Sequence, residues 1–467
     1  MKWELRTIAD LTGGELLVGD GALLCGDPVW DSRRVTPGAI FVPLQGERAD
    51  GHMFIADAQR RGAAASFVRR GWPGELPDGL AVILVDDPLR ALQLWAKGYL
   101  QTIKAKVVGV TGSIGKTSTK EMIAAALSST LKVGKTQGNL NTEMGLPAMV
   151  LAANHDLDVL VLEMGMRGPG EILELTSVAP PHVAVITNVG VTHIELLGSV
   201  ENIAQAKGEI LQGMRSDGIA VLNGDDPWVR EQARRAPGRV IWYSSQPSPG
   251  DDVLWADQVQ DLGLSMRYVV HWQGEEAVVT IPCPGEHNLP NSLAAIAVGL
   301  ALGLNMHDCI RGLLNYRPAS HRLNVLRAKT GAIVIDDVYN AGPDSVRAAL
   351  RVLTAYPEGR SRYAVLGDML ELGALAESAH REIGELVASL QLDGLFTVGP
   401  LAELMARAAV EQGLQQVKSF TDNDSAAAYL ERLLRPDDLV LVKGSRGMQM
   451  ESIVWALTGE GGEERGH

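Results

Sequence analysis

Cysteine is scarce in this chain of 467 residues. The three that occur, Cys25, Cys283 and Cys309, lie far apart, and none belongs to a CxxC pair. This number and spacing exclude a disulfide framework and a cysteine-based zinc site. We therefore expect buried thiols in a protein of the reducing cytoplasm.

Long apolar runs are also missing. No run reaches the roughly 18 residues that a membrane-spanning helix needs, and the stretch 183–191 is interrupted by polar residues. The first 16 residues carry three acidic side chains among spaced apolar ones, which predicts an amphipathic helix that ends at Gly13 and Gly14. A signal peptide has a different pattern. The sequence therefore predicts a cytoplasmic protein without a membrane span.

The chain also lacks an excess of basic residues. Lys and Arg total 42 against 56 Asp and Glu, so the net charge is −14. Such a charge repels a polyanion, and nucleic acid is not an expected partner. With 46% hydrophobic and 21% charged residues the composition is that of a globular protein. At roughly 100 to 200 residues per domain, three domains are expected, and we expect a monomer.

The pattern along the chain predicts an α/β protein in three parts and a tail. Residues 1–103 alternate short apolar runs with Gly, Pro and Asp turns, which indicates a small α/β domain. In 104–316 apolar strands alternate with helices, which predicts a doubly wound, mainly parallel sheet, and alternation at 264–281 predicts an antiparallel insert. A second such series at 317–457 predicts a Rossmann-like domain. Residues 458–467 are rich in Gly and Glu and are expected to be a disordered tail.

A glycine-rich loop follows the strand predicted at 106–110 and precedes a helix. Its residues are Thr111, Gly112, Ser113, Gly115, Lys116, Thr117 and Ser118. Glycines let backbone N–H groups face an anion, Lys116 can reach the outer phosphates of a nucleotide, and the Thr117 hydroxyl can bind Mg²⁺. A plain glycine turn that caps a helix is the weaker alternative, because lysine and threonine stand where a phosphate loop requires them.

Polar side chains follow the next two predicted strands. Glu163 ends one of them, at the edge where open α/β sheets place their ligands, and its carboxylate could hold Mg²⁺. His193 follows the other, and either a site imidazole or a buried histidine that bonds the backbone fits equally well. Lys207 lies in a helical stretch, where the residues alone predict a solvated lysine.

Three further segments carry polar residues near element ends. A helix is predicted from Ser292, so helix capping is the simplest role for Asn291 or Ser292. Asp337 follows a strand of the last domain, and Lys443 and Arg446 follow the final strand. The acid could bind ribose hydroxyls and the cations a carboxylate or phosphate, with ordinary loop polarity as an equal alternative.

Together these motifs resemble one family across nearly the whole chain, the ATP-dependent Mur ligases of peptidoglycan synthesis. Four parts of the sequence carry the resemblance: 31–33 with 38–42 and 50–54, 111–121, 367–373 with His380, and 443–448. The resemblance implies a UDP-sugar domain, an ATPase domain and a C-terminal domain that closes over both. It is closest to the member that joins D-alanyl-D-alanine to UDP-N-acetylmuramoyl-tripeptide through an acyl phosphate, with ATP converted to ADP and phosphate.

The resemblance also implies roles for individual residues. The loop with Lys116 would bind the ATP phosphates, and Lys207 matches a lysine that is carbamylated in several members. The implied catalytic residues are Lys116, Glu163, His193 and Lys207, and the implied Mg²⁺ ligands are Thr117, Glu163, His193 and Lys207. The implied nucleotide contacts beyond the loop are Asn288, Asn291, Arg322 and Asp337. The implied contacts with the UDP-sugar and the peptide are Ser32, Arg33, His52, Asn139, Asn141 and Thr142. We expect Lys443 and Arg446 beside the dipeptide, with the phosphates as an alternative.

Two departures and three alternatives accompany the resemblance. His321 stands where a glycine usually precedes the arginine, and Gly342 replaces the second asparagine of an Asn-Ala-Asn-Pro run. A ligase that adds a single amino acid is one alternative, but the Asp-Asn-Pro-Arg run of the diaminopimelate-adding relative is absent. A folylpolyglutamate-synthase-like ligase would lack the domain at 1–103. A nucleotide-switch protein would carry an Asn-Lys-x-Asp motif, and the sequence has none.

Overall fold

The computed structural model describes residues 2–46, 49–357 and 359–459. Its first part is a small α/β unit. The strands are β1 (Trp3–Glu4), β2 (Glu15–Val18), β3 (Leu24–Cys25), β4 (Pro28–Val29), β5 (Ile40–Phe41), β6 (Ala65–Arg69) and β7 (Ala81–Val85), and the helices are α1 (Leu5–Thr12), α2 (Ile55–Arg60) and α3 (Pro88–Leu100). The main sheet has the order β2-β7-β6-β5-β4, with β2 antiparallel to β7 and the other pairs parallel, while β1 pairs with β3.

Helix α1 confirms the amphipathic helix predicted near the N-terminus, over a shorter range. Leu5, Ile8, Ala9 and Thr12 share one face and are buried, as the 3.6-residue period requires. The helix ends at Gly13, whose φ of 66° is the left-handed conformation that glycine adopts at little cost. The residues on either side form β1 and β2 rather than further helical turns.

The second part is the predicted doubly wound sheet. Its strands are β8 (Lys106–Thr111), β9 (Val133–Lys135), β10 (Val159–Glu163), β11 (Val183–Ile186), β12 (Ile219–Asn223), β13 (Val240–Ser244), β14 (Val253–Asp261), β15 (Met266–Trp272) and β16 (Glu275–Ile281). Its helices are α4 (Lys116–Leu127), α5 (Gly145–Leu151), α6 (Glu171–Val178), α7 (Ile194–Leu197), α8 (Val200–Gln212), α9 (Pro227–Gln232), α10 (Asn288–Ala301) and α11 (Met306–Leu313).

The order in this sheet is β16-β15-β14-β13-β12-β11-β8-β10-β9, parallel from β14 to β9 and antiparallel at β14-β15-β16. Apolar side chains cover both faces, because α4, α10 and α11 pack on one and α5, α6 and α8 on the other. The predicted antiparallel insert is therefore confirmed as the β15-β16 hairpin. The carboxyl ends of β8, β10 and β11 meet at one edge.

The third part is a Rossmann-like sheet, as predicted. Its strands are β17 (Asn324–Arg327), β18 (Ile333–Asp336), β19 (Arg362–Gly367), β20 (Gly394–Val398), β21 (Val417–Phe420) and β22 (Leu439–Lys443), and its helices are α12 (Pro343–Ala355), α13 (Ala376–Ser389), α14 (Ala402–Glu411), α15 (Asn423–Leu433) and α16 (Glu451–Thr458). The order is β17-β18-β22-β19-β20-β21, with only β17 antiparallel among these strands. Thr458 belongs to α16, so the predicted start of the tail is one residue too early, and 460–467 lie outside the described residues.

The first two parts of the chain are in direct contact. They share an apolar core, in which α3 packs on α5 and the Tyr99 hydroxyl donates to the Ala153 carbonyl.

All three cysteines are buried and unpaired, which confirms the expected thiols. No helix in the described ranges combines the length and apolarity that crossing a bilayer requires.

Candidate active site

A cavity of about 610 Å³ lies between the carboxyl edge of the central sheet and the C-terminal sheet. Most of the residues predicted for the nucleotide, the metal and the dipeptide line it: Ser113, Gly115, Lys116, Thr117, Ser118, Asn141, Glu163, His193, Asn288, Asn291, Arg322, Asp337, Lys443 and Arg446. Thr111 and Gly112 are buried behind this wall. The structure thus brings together residues that are more than 300 positions apart in the sequence.

The glycine-rich loop is held in place by the residues that follow β11. Gly112 has a φ of 149°, and a Cβ atom there would lie 1.9 Å from Oγ1 of Thr187. Asn188 bonds Ile114 twice, accepting from its N–H and donating to its carbonyl, both at 2.9 Å. Gly115, with a φ of 80°, precedes the first residue of α4. These contacts fix a tight turn directly before α4, and the N–H groups of Ser113 and Ile114 both donate to Asn188 within it. Sequence reasoning missed the clamping role of Asn188, although its place directly after a predicted strand was a usable signal.

Lys116 is half-buried at the start of α4, and its ammonium group rests on the loop. Nζ donates to the carbonyl oxygens of Gly112 at 2.8 Å and Ser113 at 3.3 Å. Burial lowers the pKa of Lys116, Glu163 opposes this effect, and Arg322 adds to it. Because both acceptors are neutral, an anion such as a phosphate would be a stronger partner for this cation.

Glu163 and Thr117 form a buried pair of oxygen groups. Glu163 ends β10 opposite Val110 of β8, which places its carboxylate beside the loop. The Thr117 hydroxyl donates to Oε2 at 3.0 Å, and Nδ2 of Asn141 donates to Oε1 at 2.9 Å. Arg322 of the C-terminal part donates to the same hydroxyl at 3.1 Å. Hydroxyl and carboxylate oxygens are ligands that Mg²⁺ accepts.

This donor set fits a magnesium ion that keeps water and phosphate ligands. Among the described residues no three His, Cys, Asp or Glu side chains cluster into a ready metal site. Mg²⁺ is commonly bound by one or two carboxylates, with the rest of its octahedron filled by water and substrate phosphates. Glu163 with Thr117 supplies a protein contribution of that kind.

His193 connects the two sides of the cavity. It adopts the left-handed conformation with a φ of 66°, and Nδ1 lies 3.0 Å from Oε2 of Glu371 in the C-terminal part. Burial lowers the pKa of His193, the Glu371 carboxylate opposes this effect, and Lys116 and Lys207 add to it. Sequence reasoning did not anticipate Glu371 as the partner, because the two residues are distant in the chain.

Lys207 is buried on α8, so the prediction of a solvated lysine from the residues alone is wrong. It is 2% exposed because Ile203, Ile210 and Leu211 share its helix face and direct that face into the core. No described residue accepts a hydrogen bond from its ammonium group. Burial lowers the pKa of Lys207 well below its usual value, with Lys116 as the second cause.

The asparagines near 288 brace the loop rather than cap a helix, so the capping prediction is wrong. Helix α10 begins at Asn288, and Pro290 fits within its first turn. Asn291 accepts from the Thr119 hydroxyl at 3.0 Å and donates to Oδ1 of Asn288 at 3.2 Å. Its Oδ1 lies 2.7 Å from the Cβ position of Gly115, so this pair also sets the shape of the turn.

Lys443 and Arg446 each pair with an acidic residue of the C-terminal part itself. Lys443 is 2% exposed, and Nζ donates to the Asp337 carboxylate and, at 2.9 Å, to the Asn340 carbonyl. Arg446 is largely exposed and lies 3.2 Å from Oε1 of Glu451. The guanidinium of Arg322 stacks on the Tyr339 ring at 4.1 Å.

Most residues predicted for the UDP-sugar and the peptide lie outside the cavity lining. Arg33 is exposed and bonds Asp31, while Ser32 is buried. His52 is buried with both ring nitrogens used, Nδ1 with Asp50 at 2.6 Å and Nε2 as acceptor of the Arg69 N–H at 2.9 Å. Asn139 and Thr142 are exposed beside the cavity-lining Asn141.

Comparison of the chain with known proteins identifies its family. Family models match residues 29–99 (Mur ligase family, catalytic domain), 110–299 (Mur ligase middle domain) and 321–446 (Mur ligase, glutamate ligase domain). The chain is 40% identical over 428 residues to the UDP-N-acetylmuramoyl-tripeptide--D-alanyl-D-alanine ligase of Bacillus subtilis, with 91% of each chain covered. The chain belongs to the Mur ligase family. The predicted family and the prediction of a ligase are thereby confirmed.

Two solved structures of Mur ligases are similar over almost their whole length. One is UDP-N-acetylmuramoylalanyl-D-glutamyl-2,6-diaminopimelate--D-alanyl-D-alanyl ligase from Acinetobacter baumannii, with a TM-score of 0.86, 31% identity, and 97% of this chain and 98% of that chain covered. The other is MurF ligase from Thermotoga maritima in complex with ADP, with a TM-score of 0.79, 31% identity, and 92% and 96% coverage. Both share the three-part fold described above.

Proposed function

We propose that this Mur ligase joins D-alanyl-D-alanine to UDP-N-acetylmuramoyl-tripeptide at the expense of ATP. The names of the relatives support the reaction, and the complex of the Thermotoga relative with ADP supports the nucleotide. The observation that carries the proposal is the cavity in which Lys116, Thr117 and Glu163 of the central part face Arg322 of the C-terminal part. A ligase needs such a cleft, because three substrates must meet there without water.

The proposed reaction has two steps. The terminal carboxylate of the peptide attacks the γ-phosphorus of ATP, which gives an acyl phosphate and ADP. The amine of D-alanyl-D-alanine then attacks the acyl carbon, the new C–N bond forms, and phosphate leaves. Both reactants of the first step are anions, so cations must lower their repulsion and align them.

The residues of this chain supply that stabilisation at defined atoms. Nζ of Lys116 would exchange its carbonyl acceptors for phosphate oxygens, and the N–H groups at the start of α4 would hold the rest of the polyphosphate. Thr117 and Glu163 would hold Mg²⁺, which neutralises charge on the phosphate oxygens. Arg322 would bond the Thr117 hydroxyl only when the C-terminal part is docked on the central part. Asn291, which lies against Gly115, and its partner Asn288 would shape the loop near the adenine of ATP.

Carbamylation of Lys207 is part of the proposal. Its amine is buried, has no acceptor among the described residues, and has a pKa well below the usual value. A neutral amine can attack CO₂, so that an N–C bond forms and a proton leaves to water. The resulting carbamate would be an anion near Lys116, whose charge lowers the pKa of Lys207, and near His193, whose pKa is lowered by the charge of Lys207. It would bind a second Mg²⁺ by oxygen, in keeping with hard-cation chemistry.

The UDP-sugar is proposed to lie on the N-terminal part, outside the cavity. Arg33 is exposed there and could release Asp31 for a phosphate, whereas His52 shapes the surface because both of its nitrogens are used. The peptide would reach the cavity past Asn139, Asn141 and Thr142. The division into 1–103, 104–316 and 317–457, the monomeric state and the cytoplasmic location remain predictions within this proposal.

The acceptor peptide of this chain is proposed to carry a free carboxylate besides the reacting one. The name of the Acinetobacter relative contains D-glutamyl and 2,6-diaminopimelate residues, and each of these dicarboxylic residues keeps one carboxyl group outside the main peptide linkage. The same substrate class would therefore present additional negative charge to the cavity wall.

A phosphate-release assay tests the reaction. Purified protein is incubated with Mg-ATP and UDP-N-acetylmuramoyl-tripeptide, with and without D-alanyl-D-alanine, and both phosphate and the UDP-linked product are measured. Phosphate is expected to match the amount of pentapeptide product and to require both substrates. Equal turnover with a folate substrate, or none with the dipeptide, would contradict the proposal.

A further inference from the structure

Arg167 is a cation on the cavity wall whose charged group has no partner among the described residues. Its side chain is exposed and lines the cavity. The other lysine and arginine side chains of the wall are engaged: Lys116 with loop carbonyls, Arg322 with Thr117, Lys443 with Asp337 and Arg446 with Glu451. A free guanidinium in a substrate cavity calls for an anionic partner from the substrate side.

The backbone around Arg167 is fixed even though its side chain is free. The N–H of Arg167 donates to Oε2 of Glu171 at 2.8 Å, which anchors the residue just before α6. Upstream, the N–H of Gly165 donates to the Asn141 carbonyl at 2.9 Å. A Cβ atom at Gly165 would lie 3.1 Å from the Asn141 side chain, so the two segments are in close contact.

These contacts place Arg167 on the peptide side of the cavity. Asn141 donates to Glu163 at 2.9 Å and belongs to the segment 139–142, along which the peptide is proposed to enter. Glu163 is the last residue of β10, and Arg167 follows it four residues later in the connection to α6. A peptide whose terminal carboxylate reaches the phosphates beside Glu163 would therefore pass Arg167 with its remaining carboxylates.

We infer that Arg167 binds a free carboxylate of the acceptor peptide and thereby determines affinity for the UDP-linked substrate. The planar guanidinium can hold a carboxylate through two parallel N–H···O bonds, which a lysine cannot reproduce. The inference rests on the proposed function, since it takes the acceptor to be a peptide with more than one carboxylate.

Steady-state kinetics of Arg167→Ala and Arg167→Lys test this role. Arg167→Ala is expected to raise the KM for UDP-N-acetylmuramoyl-tripeptide by about ten- to a hundredfold, the effect of losing a charged hydrogen bond. The KM values for ATP and for D-alanyl-D-alanine should stay within about twofold, because those ligands are held elsewhere. Arg167→Lys should restore part of the affinity. Arg432→Ala, which removes an exposed arginine of α15 outside the cavity, is the matched control and should resemble wild type.

Substrate analogues identify the carboxylate. One analogue carries the amide in place of the D-glutamyl carboxylate, and a second carries lysine in place of diaminopimelate. One of them should raise the KM of the wild type to the level of Arg167→Ala and have little further effect on that variant. The inference is overturned if neither analogue weakens wild-type binding, or if Arg167→Ala changes the KM for ATP instead. A wild type that forms no product with any of these peptides would reject the proposed function itself.

Discussion

Lys443 and Asp337 form a buried ion pair that joins two neighbouring strand ends of the C-terminal sheet. β18 and β22 are parallel neighbours with Asp336 opposite Val442, so the residues that follow these positions meet at the cavity wall. Lys443 also donates to the Asn340 carbonyl at 2.9 Å, and both charged side chains are almost fully buried. The pair therefore fixes the loop 337–343, most of which lines the cavity.

Removing one member of this pair should destabilise the protein. Lys443→Met leaves the Asp337 carboxylate buried without its cation, and a loss of about 3 to 5 kcal/mol in the free energy of unfolding is expected. Asp337→Asn combined with Lys443→Met should lose less than the sum of the single changes. Urea denaturation of the four proteins measures the coupling, and additive losses would show that the two groups do not interact in solution.

Lys116→Ala should abolish ligation in a folded protein. The Lys116 ammonium bonds only loop carbonyls among the described residues, so its loss removes the phosphate partner without emptying the core. A fall in turnover of at least about a hundredfold is expected from the loss of such electrostatic stabilisation. Turnover and thermal unfolding are measured together, with the exposed Lys132→Ala as control. A folded variant that keeps wild-type turnover would remove the phosphate-loop assignment.

The sequence was sufficient to predict the central fold because the strands β8, β10, β11 and β12 are short, apolar and buried on both faces. It was also sufficient to predict that the loop at Thr111 and Glu163 lie side by side, since the carboxyl ends of adjacent parallel strands must meet at one edge. Lys207 could have been predicted correctly as buried, because Ile203, Ile210 and Leu211 recur on its helix face.

Other features of the site depend on contacts that no local pattern contains. The pairing of Lys443 with Asp337 and of His193 with Glu371 joins residues more than 100 positions apart. The start of α10 at Asn288 was missed because Asn291 follows Pro290 and looks like a capping residue, whereas it lies inside the helix and its side chain bonds Thr119 and Asn288. His321 has a φ of 62°, a conformation that favours glycine, which explains why glycine suits this position.

Lys207→Ala should be nearly inactive, and short carboxylic acids should restore part of the activity. A small anion could replace the proposed carbamate beside the second Mg²⁺. Carbamate formation is measured directly by ¹³C NMR after incubation with labelled bicarbonate, with Lys207→Ala as the sample that lacks the signal. Full activity of the variant without any additive would show that Lys207 has no role in the reaction.

His380 should make the C-terminal part less stable in mild acid. Its Nδ1 donates to the Ala376 carbonyl and its Nε2 accepts the Met369 N–H, so the folded protein holds the neutral ring. Burial lowers the pKa of His380, with the Ala376 carbonyl and Asp368 opposing the effect. Below a pH of about 6.5 the unfolded chain thus binds a proton that the folded chain does not, and stability falls as the pH falls towards the folded pKa.

The slope from one such group is at most about 1.4 kcal/mol per pH unit. His380→Gln can keep both hydrogen bonds without titrating, so its unfolding free energy should fall less between neutral and acidic pH than that of the wild type. Urea denaturation at a series of pH values measures the difference. Parallel curves for the two proteins would show that His380 titrates alike in both states.

The last prediction concerns the choice between a dipeptide and a single amino acid as the amine substrate. D-alanyl-D-alanine differs from D-alanine by a peptide group and a carboxylate placed further from the amine, so its site needs a cation at that distance. Lys443 is bound by Asp337, whereas Arg446 is exposed, lines the cavity and bonds only Glu451 among the described residues. Wild type should therefore use the dipeptide far better than D-alanine. Arg446→Ala should raise the KM for the dipeptide by about tenfold or more, equivalent to about 1.5 to 3 kcal/mol, and leave the KM for ATP unchanged. Equal use of both amines would reject the proposed acceptor, and a rise in the KM for ATP alone would assign Arg446 to the nucleotide.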